Sequence, residues 1–596
     1  MHLLPFPKHN RNDDGAPGET RPAFGSRVGR DLRARRSHRI SQGTGINHTF
    51  LGLLAALVFA AGASCKKSET SVPPATRAAS ALSPDNVARV HWLGKQSLGV
   101  QASAYYFMRL WGLPESAKLE AQTLDKLSLA PWRLLRGEPA VANAPTALVR
   151  PLLENLLMAE SYLEARQSAA RPIEVAWAIR TDDPHADLWR TNLAVVVASL
   201  TGIQTLVLQD GGRGWSMTNQ DASKLVQLTR VGEWTVAGVA QHTNALLNEF
   251  VARIQRDGAP FAARATNFWL QADLDLSRVA GALSNTWNLT ADLPRISVRV
   301  TGDGGNVLTS GDLTFAKPLQ LELEPWNIPT NLIREPLATF TAARGFKPWL
   351  AGQKFWTDLS LGTPPGQFYF WALQGVPYQT YFAAPLPDAS NRVQQLTGHL
   401  MEKANPWLAS HNYVSFERSP DSNGATWGKL PSVLPFIKSV GVGPGAMVFG
   451  GLLADAGADT HRPLPAGLIQ DVLQRTNLVY YDWEITGPRI DSCLYLGQFL
   501  RQISRHASLP LDSASAALLG PLVIRLASCA TLVTYTGTNQ LSFIRKSTAG
   551  FTGAELHLLA DWLESPQFPR GLHTFLAPPD APPVGGPPPT VPPAKP

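Results

Sequence analysis

Polar and apolar residues alternate with a period of two over residues 174–180 (EVAWAIR), the pattern of a strand that turns one side to a core. A Thr-Asp-Asp-Pro-His turn follows, and over 188–202 (LWRTNLAVVVASLTG) the apolar spacing lengthens to that of a helix. Residues 206–218 (LVLQDGGRGWSMT) then read as a hairpin around glycines. The order is strand, helix, hairpin.

That order returns three times. Residues 268–275 (FWLQADLD) lead into a short helix at 277–283 and a hairpin at 295–315 whose turn is Gly-Asp-Gly-Gly. Residues 378–384 (YQTYFAA) precede a helical run at 387–403 and a hairpin at 413–429. Residues 478–485 (LVYYDWEI) precede helical segments and a hairpin at 531–547. The pattern predicts an α+β fold of mixed, largely antiparallel sheets covered by helices. It contains about four βαββ-like units, near 173–218, 266–315, 377–428 and 477–546. The second and fourth units share a finer likeness. Asp273-Leu-Asp-Leu-Ser aligns with Asp482-Trp-Glu-Ile-Thr, with Arg278-Val279 and Arg489-Ile490 opening the helices. The length predicts two lobes, over 85–340 and 341–576.

The chain ends read differently. Residues 50–63 (FLGLLAALVFAAGA) are an uncharged apolar run behind a basic stretch, too short for a membrane span and patterned as a secretory signal within a leader over 1–65. The leader is long for a signal, which places the expected start downstream, near Val28. Small residues stand directly before Cys65, as in a bacterial lipobox, although Gly62 replaces the usual large aliphatic residue. Lipidation of Cys65 is the preferred expectation, and cleavage after Ala63 is the alternative. Either route exports the body: to the periplasmic face of a membrane with a lipid anchor, or to the soluble periplasm without one. Residues 66–84 read as a flexible spacer, and 577–596, with ten prolines, as a disordered tail.

Charge narrows the partners. Of 53 basic and 46 acidic residues, nine and four lie in the first 48, so the remainder is nearly balanced and nucleic acid is not an expected partner. Besides Cys65 the chain has only Cys493 and Cys529. An exported compartment permits a disulfide between them, and two free buried thiols are the other reading.

Local motifs for chemistry are weak. Asp182, Asp183, His185 and Asp187 lie together, but helix-entry logic covers them: Asp183 caps, Pro184 fills the first turn and Asp187 meets the dipole. Gly441, Gly443 and Ala446 match the dinucleotide spacing, yet Pro444 removes a needed amide, so a tight connection between strands is expected. The Gly302–Asn306 turn lacks the later Glu of a calcium loop and the Lys-Ser/Thr of a phosphate loop. No nucleophile elbow, HExxH helix or paired CxxC occurs. Trp177, Trp269 and Trp483 fall in expected strands, where core packing is the ordinary role. No catalytic, cofactor or metal residues are assigned.

The phrases at 120–126 (EAQTLDK), 323–329 (LEPWNIP) and 481–488 (YDWEITGP) resemble those of a group of large exported bacterial envelope proteins of uncharacterised function. The resemblance implies export and one evolutionary unit, without functional residues. The expected function is a non-catalytic binding or scaffold role, with a protein, glycan or apolar ligand; an envelope hydrolase with a site assembled from distant residues is the alternative.

Overall fold

The computed structural model describes residues 85–565 and Phe568, apart from 136–143, 169–170, 204–205, 210–211, 220–224, 262–267, 284–292, 359–361, 375–378, 411–414, 420–423, 429–432, 442–444, 454–465 and 505–513. The signal-like run, Cys65, the spacer and the proline-rich tail lie outside the described residues. Among the described residues no helix is long and apolar enough to cross a membrane.

The described strands form one antiparallel sheet. In the first half these are β1 (Asn86–Trp92), β2 (Ser161–Ser168), β3 (Arg171–Arg180), β4 (Leu206–Gln209), β5 (Gly214–Thr218), β6 (Leu225–Val231), β7 (Trp234–Ala240), β8 (Leu270–Asp275), β9 (Arg295–Gly302) and β10 (Val307–Thr314). In the second they are β11 (Leu337–Arg344), β12 (Gln367–Leu373), β13 (Thr380–Pro385), β14 (Glu417–Arg418), β15 (Gly424–Thr426), β16 (Phe436–Val440), β17 (Met447–Gly451), β18 (Leu478–Ile485), β19 (Ser528–Gly537) and β20 (Gln540–Ser547). From one edge inward the first half runs 4-5-6-7-3-2-1-8-9-10. From the other edge the second runs 14-15-16-17-13-12-11-18-19-20, the same order advanced by ten. The halves join where β10 pairs with β20, Val307 opposite Ser547 through Thr314 opposite Gln540.

Local details repeat with the order. β1 and β11 both break register at their start, between Asn86 and Ala88 and between Leu337 and Thr339. Each is followed by a glycine at φ 91°, Gly94 and Gly345. β8 passes directly into α7 (Leu276–Leu283), and β18 directly into α13 (Thr486–Ser504). These landmarks put Val90 in correspondence with Thr341, and Ala272 with Asp482.

Directly opposed residues of antiparallel neighbours share a face, so the pairing defines two sides. The front carries Trp177, which meets Trp189 of α5 (Asp183–Thr201) edge-on at 5.7 Å. In the second half Phe382 and Val448 occupy this side, packed with Val393 of α10 (Ala389–His399). The back carries Ala176 and Ala178 under α6 (Ala245–Asp257), and Trp371 and Tyr481 with Val472 of α12 (Ala466–Leu473). Corresponding helices lie on the same side, so the halves are related by a pseudo-twofold axis normal to the sheet at the β10–β20 pair.

All four expected segments contain strand, helix and hairpin in that order. The strand order itself repeats once, over ten strands, and changes halves across residues 315–336. The expected boundary at 340/341 falls inside β11. The likeness between Asp273 and Asp482 is one residue out of structural register. Asp273 opposes Arg89 and faces back, whereas Asp482 opposes Thr341 and faces front. A shift of one residue in a strand reverses every side chain.

Candidate functional site

The two halves differ most along one cross-strand row on the front. In the first half the row reads Trp177, Leu163, Val90, Ala272, Val298 and Gly311 across β3, β2, β1, β8, β9 and β10. Its counterpart reads Phe382, Phe370, Thr341, Asp482, Thr531 and Arg545 across β13, β12, β11, β18, β19 and β20. An apolar row has a polar partner: Val90 gives way to Thr, Ala272 to Asp, Val298 to Thr and Gly311 to Arg. One step along, Thr339, Glu484 and Cys529 form a second row on the same side.

Hydrogen bonds hold the polar rows. Thr341 Oγ1 donates to Asp482 Oδ1 at 2.6 Å. Arg545 Nε donates to Thr531 Oγ1 at 2.7 Å, and its two terminal nitrogens donate to Glu555 at 2.5 Å each. Glu555 belongs to a reciprocal cap with Thr552 at the start of α15 (Gly553–Glu564). Glu484 Oε1 accepts from the Gly553 amide at 2.7 Å, which ties that helix to the sheet. Thr309, opposite Arg545 on β10, is buried, and its hydroxyl has no hydrogen-bond partner among the described residues.

Burial dominates the electrostatics. It raises the Asp482 carboxyl above the usual range, against the opposing effects of Thr341, Arg489 and Arg545. Glu484 is 2% exposed, and burial followed by the charge of Asp482 pushes it up to about 7. Arg545 is hydrogen-bonded to Glu555, and its charge offsets only part of the effect of burial on Asp482. Such buried, incompletely compensated acids are costly to a fold and concentrate at functional positions.

Access differs between the halves at the Phe370 end of the row, whereas Thr339, Glu484, Cys529 and Thr531 are buried like the apolar row of the first half. In the first, the β1–β2 connection carries α1 (Lys95–Gly99), α2 (Tyr105–Trp111), α3 (Pro114–Leu135) and α4 (Thr146–Met158). Leu98, Leu152 and Leu156 share a core with Val90, Leu163 and Ala272, and Trp92 Nε1 donates to Leu157 O at 3.0 Å. In the second, the described residues of the β11–β12 connection carry α8 (Lys347–Ala351) and α9 (Lys354–Asp358). Phe370 is accordingly 46% exposed where Leu163 is 5% exposed.

A depression of about 670 Å³ opens beside those short helices, lined by Glu322, Lys347, Pro348, Ala351, Trp356 and Thr357, with Gly362, Thr363 and Pro364. Lys347 pairs with Glu322 and Glu324 at 3.2 Å each. The lining has an aromatic ring and an ion pair, and no histidine or thiol.

Of the residues singled out in the sequence, Asp482 and Cys529 lie in these rows and the others fall elsewhere. Cys493 on α13 and Cys529 on β19 are free thiols, and burial raises both. At the helix entry the cap is Asp182, accepting from the His185 amide at 2.9 Å, rather than Asp183, which pairs with Arg230. With Pro184 near the start of the helix, the carboxylate of residue 182 reaches the first free amide. Gly441 leads from β16 towards the antiparallel β17, the strand connection expected there. Gly302 and Asp303 close the β9–β10 hairpin, where Asp303 accepts from the Gly305 and Asn306 amides. Trp177 and Trp269 are buried, and Trp483 packs on the second core. Among the described residues no cluster of three or more His, Cys, Asp or Glu is placed to hold a metal. The sequence named neither Thr341 nor Arg545; the signal was polar residues at apolar strand positions, visible once the halves are aligned.

Comparison with protein-family models, curated proteins and solved structures finds no match.

Proposed function

We propose that the chain is an exported cell-envelope protein, tethered through a lipid on Cys65, with a non-catalytic binding role centred on the exposed Phe370 margin of the front face of its second half. The observation that carries this reading is the contrast between corresponding rows. One is apolar and covered by the helices of the β1–β2 connection; the other is polar, buried, tied to α15 through Glu484, and ends at exposed Phe370. A stability requirement alone is met by the first arrangement, so the second supports a recognition role. Export and tethering rest on the leader sequence and on the small residues before Cys65.

The test has two parts. Mass spectrometry of the mature N-terminus from fractionated cells is expected to give a lipid-modified Cys65 in a membrane fraction. A photocrosslinking amino acid in place of Phe370 is expected to join a defined envelope component in intact cells. A full-length cytoplasmic chain, or no crosslink from position 370, contradicts the reading.

An envelope hydrolase is the second reading. One observation favours it: Glu484, with a carboxyl near neutrality beside Asp482, has the character of a general acid. Its burial and its bond to the Gly553 amide favour a structural use of the same group. Turnover of ester, amide or glycoside reporters that is lost in Glu484→Gln and kept in Phe370→Ala would establish the hydrolase.

A further inference from the structure

Three of the four most exposed large hydrophobic side chains among the described residues stand at one end of the sheet: Val100 at 87%, Ile524 at 83% and Tyr105 at 61%. Val100 and Tyr105 follow β1, and Ile524 lies between α14 (Ala514–Val523) and β19. Antiparallel pairing puts the end of β1, the β9–β10 turn and the start of β19 at the same end. Backbone bonds join the three segments. Gly304 N donates to Ser103 O at 2.8 Å and Tyr106 N to Gly304 O at 3.1 Å, which seats the start of α2 on the β9–β10 turn. Tyr106 Oη donates to Arg525 O at 2.9 Å, which ties α2 to the segment before β19.

Charge there is one-sided. Residues 99–113, 302–306 and 521–527 contain two basic residues, Arg109 and Arg525, and one acid, Asp303. Asp303 is paired with Lys546 at 2.9 Å. Arg109 lies over the Tyr105 ring at 5.7 Å and Arg525 Nη1 donates to Pro521 O at 2.7 Å; neither forms an ion pair among the described residues. Val100 and Ile524 are so exposed that they pack on almost nothing, unlike the clustered anchors of a protein interface. Protruding apolar groups beside unpaired guanidinium groups instead complement a surface of acyl chains beneath phosphate headgroups.

We propose that this end of the sheet rests on a phospholipid surface, with Val100, Tyr105 and Ile524 entering the boundary between headgroups and acyl chains and Arg109 and Arg525 against the phosphates. The inference deepens the tether in the reading above and rests on it: a lipid on Cys65 holds the chain at a membrane, and this patch sets how the body lies there. Tyrosine suits that boundary, and a lipid chain gains from a second contact. The lengths agree. Nineteen residues separate Cys65 from Asp85. They span at most about 65 Å, against about 24 Å for β1 between its start and the patch.

The mature chain carrying Cys65→Ser, and so without its lipid, is sedimented with vesicles of phosphatidylcholine alone or of equal parts phosphatidylcholine and phosphatidylglycerol. Binding to the anionic vesicles is expected to exceed binding to the neutral ones. Val100→Asp with Ile524→Asp should weaken it about fivefold or more, and Arg109→Gln with Arg525→Gln should erase the anionic preference. Leu208→Asp, at a 63% exposed position on the edge strand β4, should change nothing. Circular dichroism of each variant establishes that it is folded. Absence of vesicle binding, which a protein-docking use of these side chains would give, overturns the proposal. Equal binding to both vesicle types, or binding indifferent to Val100→Asp with Ile524→Asp, overturns it as well. The mass of the mature N-terminus is read separately. A lipid-modified Cys65 without vesicle binding keeps the tether and removes the patch, and an unmodified Cys65 with vesicle binding removes the tether alone.

Discussion

Thr341 and Asp482 stand directly opposite each other on β11 and β18, joined at 2.6 Å, where the other half sets Val90 against Ala272. This pair makes the difference between the halves measurable. Thr341→Val alone removes a donor from a buried acid and is expected to lower the unfolding free energy by about 1–3 kcal/mol. Thr341→Val with Asp482→Ala restores the apolar row and should recover that loss or exceed the parent. Urea unfolding at pH 7, with unchanged m-value, checks both.

Stability should depend on pH through Glu484. Its folded value is raised to about 7 from an ordinary 4.5, so the folded state holds the proton more tightly than the unfolded chain. The cost of ionising it grows as pH rises from about 4.5 to about 7 and is constant above, roughly 3 kcal/mol in all. The difference in unfolding free energy between the parent and Glu484→Gln should trace that rise. A difference independent of pH would contradict the assignment.

An opposite dependence is expected on the back of the first half. Glu164 is 0% exposed; burial opposes its ionisation, but Arg89, Arg253 and Arg166 outweigh it and hold the carboxyl below its usual value. Arg166 Nε donates to it at 2.7 Å and Arg253 at 3.1 Å. Its contribution is present above the unfolded pKa and lost as pH falls through the folded one. Glu164→Gln should cost about 1–3 kcal/mol at pH 7, measured by denaturant titration, because Arg89, Arg166 and Arg253 lose a shared buried carboxylate while Arg166 and Arg253 keep Glu249.

The two left-handed glycines should respond unequally. A Cβ on Gly94 would lie 2.6 Å from Ala159 C and Met158 O, whereas on Gly345 the nearest atom is the flexible Leu323 Cδ2 at 3.0 Å. Both substitutions incur the cost of positive φ, and only the first also meets backbone. Gly94→Ala should therefore lower the melting temperature more than Gly345→Ala.

Much of the architecture was legible because strand and helix periods are local properties. The segments that became β3, β8, β13 and β18 each declared themselves by alternation, and their helices followed. The level of the repeat was not legible, because sheet order is set by pairings between distant strands such as β1 with β8 and β11 with β18. The apparent match of Asp273 with Asp482 illustrates the difficulty. Similar letters one residue out of register face opposite sides, and only pairing reveals it. The polar row was hidden for the same reason: Thr341, Asp482, Thr531 and Arg545 come from four separated strands, and none sits in a recognisable motif.

The contrast between covered Leu163 and exposed Phe370 is tested most directly by thiol labelling at these two corresponding positions. Leu163→Cys and Phe370→Cys are made separately in the mature protein, exposed to a maleimide under native conditions, and quantified peptide by peptide so that the buried Cys529 serves as the reference. The cysteine at 370 should label rapidly, and the one at 163 only at the rate of unfolding. Equal labelling at the two positions would contradict the account.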